Sequence, residues 1–428
     1  MIKYIYILLS IVAVTYVFFK KRRFDFFSIS ILSTVAYCYP AYIGTIIVND
    51  KYIPIHEKVY VCLIIHIIIL FGWILVSDMI QHTRRANSGY NVCVNTTNNY
   101  SVLILSFVGL VLMLLTMSMY GELSSGGFAK NELLSNSSKV TEYFKFIALF
   151  VFVYAFVNTG KYIGFIRIMS LVLIGYTFLL GHRSFIVIGI VAVAFFAFSK
   201  QEKAISLARF MWSHKWLTLA ILFAAFFFFF VKNVFSAFMD GNYELVVSRL
   251  TSKEYYLNML LKSEPNSIME NLQYACQADI GFKLSDYFLG FFSLIPFLGG
   301  RVTDLFQVSS FEILLNEQFN DKYDLGFGMG STFIGEAFSA GSFVFLVIVL
   351  IFMFAFISAV SKCLRKTKSS IVYTWLSISL VYCSFYIFRN SSINLFVMMR
   401  AFLYIVLVCW LVKKLIPRIV LSKKRRDL

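Results

Sequence analysis

The 428 residues predict an all-α polytopic membrane protein, with about eleven transmembrane helices and one large outer loop. Three observations lead there. Hydrophobic residues make up 59% of the chain and charged residues 14%, against roughly 45–50% and about 25% in soluble domains. So little polar material cannot cover a water-soluble globule. Apolar runs of roughly 17–25 residues recur, the length a helix needs to cross a hydrocarbon core. They are continuous rather than alternating, which excludes a β-barrel. The net charge of +17 is gathered in short clusters between those runs: Lys20–Arg23, Arg365–Lys368 and Lys423–Arg426. That is the positive-inside pattern of membrane topology, not a nucleic-acid-binding surface, so no nucleic-acid partner is expected.

Taken in order, the expected spans are 3–19, 26–48, 59–77, 101–119, 144–157, 163–180, 185–199, 216–231, 331–358, 371–388 and 393–412. The basic cluster after the first run sets the N-terminus outside, and the basic tail sets the C-terminus inside. A cleaved signal peptide would carry its charge before the apolar run, not after it. The chain thus divides into a first membrane part, 1–231, a large loop, 232–330, and a second membrane part with its tail, 331–428.

The loop is the one long polar stretch. Residues 243–261 have helical apolar spacing with charge on the other face, which suits an amphipathic helix on the membrane surface. Residues 286–300 are apolar but too short to cross, and read as a re-entrant or interfacial element stopped by Pro296, Gly299 and Gly300. Cys276 is the only one of the seven cysteines in the loop, so the loop holds no disulfide partner of its own. The five histidines are far apart and no metal-ligand spacing appears.

Candidate chemistry lies in charged residues at the outer ends of spans. Arg183, Arg301 and Arg389 sit at such ends, and Arg400 lies two turns into the last apolar run. An Arg at helix-centre depth costs roughly 2.5–3.5 kcal/mol on insertion scales, so it faces a cavity or a partner. The planar guanidinium matches phosphate oxygens, and several of them would hold a lipid-linked phosphate or diphosphate. Snorkelling or a salt bridge is the plainer alternative for each. Glu336 is the acid inside the ninth run: a general base, or a partner that fixes helix packing. His182 is a second candidate base, or simply an interfacial residue. Gly326, Gly328, Gly330 and Gly335 approach a helix start without a phosphate-loop pattern, so close packing through Gly335, Ser339 and Gly341 is the stronger reading.

Two local stretches, Leu179–Phe185 (LLGHRSF) and Gly328–Ser342 (GMGSTFIGEAFSAGS), together with the span pattern and the single large loop, resemble the Wzy-type O-antigen polymerases. The resemblance implies an O-antigen-ligase-like helical bundle in the bacterial inner membrane, with its site facing the periplasm. It implies a glycosyltransferase without metal or other cofactor. A growing glycan on undecaprenyl diphosphate passes to the sugar of a new undecaprenyl-diphosphate-linked repeat unit. A chain-length regulator and a flippase are the implied partners, besides membrane lipid. The resemblance carries Arg183 and Glu336 into the site. Arg301, Arg389, Arg400 and His182 enter from topology and chemistry. An O-antigen ligase, or a polysaccharide flippase that is not an enzyme, are the alternatives.

Overall fold

The computed structural model describes the chain except residues 23, 49–50, 84–98, 121–138, 181, 200–204, 217, 220–222, 224–233, 235–236, 239–240, 262, 297–298, 321–331 and 427–428. The expected span 216–231 and the glycines Gly326, Gly328 and Gly330 therefore fall largely or wholly outside the described residues.

Among the described residues the fold is all-α apart from one hairpin and an isolated bridge between Arg22 and Ile205. The helices are α1 (Ile2–Phe19), α2 (Phe26–Tyr37), α3 (Tyr39–Ile43), α4 (Glu57–Thr83), α5 (Tyr100–Tyr120), α6 (Lys139–Val157), α7 (Ile163–Leu179), α8 (Arg183–Ser199) and α9 (Leu207–Ser213). The loop holds α10 (Tyr243–Thr251), α11 (Lys253–Leu261), α12 (Glu264–Gln277), α13 (Leu284–Gly290), a 3-10 turn at Phe291–Leu294, α14 (Gly299–Leu305) and α15 (Phe311–Leu315). The chain closes with α16 (Phe333–Lys366), α17 (Ser370–Phe385) and α18 (Ser392–Arg426). Among the described residues six helices are long and apolar enough to cross a membrane: α1, α4, α5, α6, α16 and α18. Four shorter apolar helices, in α2, α7, α8 and α17, pack among them.

The expected span 26–48 is not one helix. Pro40 opens α3, and Gly44 ends it at φ 96°, a left-handed conformation that suits glycine. The chain then turns into an antiparallel hairpin, β1 (Thr45–Val48) against β2 (Lys51–Pro54), with Ile46 opposite Ile53. The stretch 243–261 is likewise two helices, broken at Ser252. In α16 the helix is interrupted at Gly341 and at Ser342, whose φ of 63° lies in the left-handed region. This leaves an eight-residue segment, 333–340, ahead of a 24-residue helix, 343–366.

Polar contacts sort the helix ends into two sets. At one end Lys3 donates to the Ile43 carbonyl, tying the start of α1 to the hairpin side. At the other, Arg22 donates to Asp78 at 3.0 Å and to Asp25 at 3.0 Å, joining the ends of α1, α2 and α4. Asp25 also caps α2 by accepting from the Ser28 amide. All three charges are buried. Burial works against the Arg22 charge, but Asp25 and Asp78 outweigh it and raise its pKa. Arg22, one member of the basic cluster that follows the first apolar run, is a buried structural pin.

Candidate functional site

The hairpin end of the bundle is where loop and membrane helices meet, through α12. Its sequence is polar, yet Asn266, Glu270, Asn271 and Gln273 are all buried. The hairpin accounts for this. Asn266 accepts from the Ile47 amide and donates to the Ile47 carbonyl, at 2.9 and 2.8 Å. Gln273 accepts from the His56 amide at 3.2 Å and donates to the Pro54 carbonyl. Side-chain amides thus occupy free backbone groups that would otherwise be desolvated without partners. On its apolar face α12 packs against α16, and Gly335 makes room for it: a Cβ there would stand 3.2 Å from that of Ala275.

This docking sets the start of α12 against the turn after α17. Glu264 Oε1 meets Arg389 Nε at 2.5 Å, both side chains partly exposed. Arg389 lies over the Tyr386 ring, 5.2 Å from its centroid. It also interacts with the Tyr37 and Tyr386 hydroxyls. The Tyr382 ring is tilted against that of Tyr386, centroids 5.2 Å apart, and its hydroxyl accepts from the Asn390 side-chain amide. Partial burial works against the Arg389 charge, but Glu264 and the surrounding phenols hold its pKa above the ordinary guanidinium value. Next to Glu264, the Ser263 hydroxyl bonds the Tyr39 hydroxyl at 2.6 Å.

Other expected residues lie at this end of the bundle. Glu336 is 1% exposed and accepts from the Ser392 amide at 2.6 Å. A carboxylate at the first amide of α18 complements that helix's positive end. The Ser392 hydroxyl in turn bonds Tyr287 of α13 at 2.9 Å. Glu336 therefore ties α16 to the start of α18, whose Ser392 reaches α13, and its partner is a helix end rather than an arginine. Ser184, at the start of α8, interacts with Tyr386, which brings the His182–Arg183–Ser184 turn to the same place. His182 contacts Phe185 edge-on. The Arg183 backbone begins α8, and its side chain lies outside the described residues.

Arg301 and Arg400 stand apart. Arg400 Nη1 donates to the Ser293 and Leu294 carbonyls, at 2.9 and 2.8 Å. It caps the end of the 3-10 turn and holds that turn on α18. Arg301 is exposed on α14. The contacts among the described residues join neither to Arg389. Among the described residues, no group of three His, Cys, Asp or Glu side chains converges as a metal site.

Glu264, Tyr37, Tyr382 and Tyr386 are absent from the expected set. A signal for Glu264 is in the sequence: Ser263, an acid and Pro265 form a helix-start pattern within the loop. No family model, curated protein or solved structure matches the chain.

Proposed function

We propose that the chain is a glycosyltransferase of the bacterial inner membrane that polymerises lipid-linked oligosaccharide repeat units. In this reading about eleven spans place the N-terminus outside, the C-terminus inside and the large loop in the periplasm. The observation that carries the proposal is the Glu264–Arg389 pair: a loop acid and a bundle guanidinium meeting at 2.5 Å, among tyrosines, at the rim of an apolar bundle. Such a rim suits a substrate with a lipid tail, an anionic diphosphate and a sugar.

The chemistry follows from the two groups. The hydroxyl of the incoming repeat unit attacks the anomeric carbon of the growing glycan. The bond from that carbon to the diphosphate oxygen breaks, and undecaprenyl diphosphate leaves with the electron pair. Arg389 neutralises the charge that develops on the leaving diphosphate. As it turns to the phosphate, Glu264 is released and accepts the proton of the attacking hydroxyl. Arg183, from the neighbouring turn, is a second diphosphate ligand. Tyr386 and Tyr382 offer a platform for the sugar or the arginine. Glu336 positions the start of α18, and with it Arg389 three residues earlier.

The interruption of α16 at Gly341 and Ser342 favours a second reading, because broken membrane helices are a feature of transporters. The test is the purified chain in liposomes with lipid-linked repeat units. Products longer than one repeat support polymerisation. Movement of the intact substrate between leaflets without extension supports a flippase.

A further inference from the structure

We infer that Cys62 and Cys276 form a disulfide that staples the large loop to the bundle. The cysteines are 214 positions apart in sequence, yet their Sγ atoms lie 3.8 Å from one another. Cys62 is in the second turn of α4, and Cys276 is in the last turn of α12. Both are buried, at 0% and 3% exposure, so neither serves as a surface thiol. They lie at the hairpin end, where α12 is docked through Asn266 and Gln273. This end faces the oxidising outer compartment on the topology proposed above, on which the inference rests. Disulfides persist in that compartment and are rare inside the cell.

A Sγ–Sγ bond spans about 2.05 Å, so the sulfurs need to close by a little under 2 Å. A small shift or rotamer change at the end of α12 supplies that. In the reaction two S–H bonds break and one S–S bond forms. The two electrons and two protons pass to the disulfide of a thiol oxidoreductase, which leaves as a dithiol. Because both thiols are buried in the finished fold, the exchange takes place as the loop docks. The staple then fixes the far end of the helix whose first residue is Glu264, so it positions Glu264 against Arg389 without touching substrate.

The test uses the full chain in its native membrane, quenched in acid, denatured, and treated with a mass-tagged maleimide. Cys38, Cys93, Cys363, Cys383 and Cys409 are replaced by Ser. The expected result is no tag before reduction and two tags after it, with one tag before reduction in the additional Cys62→Ser variant. In the unsubstituted chain, a cross-linked peptide pair joining Cys62 and Cys276 is expected by mass spectrometry, which covers the case of a variant that fails to fold. Two tags without reduction, and no cross-linked pair, overturn the disulfide. A companion Lys253→Cys chain lacking all native cysteines reports the side of the loop with a membrane-impermeant maleimide. Labelling from outside with free Cys62 and Cys276 overturns the staple alone. Labelling only from inside overturns the topology and the staple together.

Discussion

Glu264 and Arg389 are 125 residues apart in the chain and meet at 2.5 Å, the loop's acid on the bundle's guanidinium. Both are partly exposed, so as a structural ion pair they contribute no more than about 1 kcal/mol. That small structural share makes the pair a clean place to test chemistry, because either residue can be changed without unfolding the chain.

Glu264→Gln keeps the shape of the side chain but removes the base. Chain extension should fall roughly 10²–10⁴-fold while the lipid-linked substrate still binds. Extension kinetics and substrate binding measured on one preparation check this, and an unchanged rate removes Glu264 from the reaction.

Arg389→Lys should be nearly as damaging as Arg389→Ala, because a point charge does not reproduce the planar fork that holds two phosphate oxygens. The expected loss for Ala is at least about 100-fold in the rate of extension. Full rescue by Lys would point to simple charge attraction.

Glu336 separates positioning from chemistry. Glu336→Gln leaves an oxygen to accept from the Ser392 amide, so extension should stay within about tenfold of the natural chain, the distance expected for a positioning residue. Glu336→Ala removes the acceptor and should lower stability by about 1.5–3 kcal/mol. If Glu336→Gln and Glu264→Gln exchange these outcomes, Glu336 is the base.

The opposite end of the bundle has the larger structural stake. Arg22→Ala leaves Asp25 and Asp78 buried without their cation, and the loss of stability should be about 3–5 kcal/mol. Thermal unfolding in detergent checks it. A shift no larger than that of Glu264→Gln would mean that water reaches the Arg22 site.

Glu270 gives the loop a pH dependence. Burial raises its pKa from the ordinary 4.5 to about 7, against the pull of the Tyr274 hydroxyl that donates to it. An acid whose folded pKa is raised favours the folded state fully below the unfolded value and loses that contribution as pH rises through the folded one. Docking of α12 should therefore be firmest near pH 5 and loosen toward pH 8, measured as protease cleavage within 264–277. Glu270→Gln should flatten the profile.

The apolar helical character was legible in the sequence, because long apolar runs have few alternatives in lipid, and Pro296 and Gly299 marked the break after the 3-10 turn. The docking of α12 was not. Asn266 and Gln273 look like solvent-facing polar residues until a hairpin 219 positions away in chain presents backbone groups to them. The break at Pro40 and Gly44 was available but was masked by the apolar run around it. For Cys276 the cysteine count asked about a partner within the loop, while the neighbouring thiol, Cys62, belongs to α4. Arg389 was visible as a charged residue at a span end, and Glu336 as an acid inside the ninth apolar run. Arg389's partner Glu264 follows from tertiary packing, and Glu336's role at the start of α18 follows from helix placement.

The most direct measurement is chain extension by the purified protein in liposomes supplied with lipid-linked repeat units, for the natural chain, Glu264→Gln and Arg389→Ala. The natural chain should give a ladder of products longer than one repeat, and neither variant should give any above background. A natural chain that leaves competent substrate unextended, or variants that extend it equally well, would contradict the account.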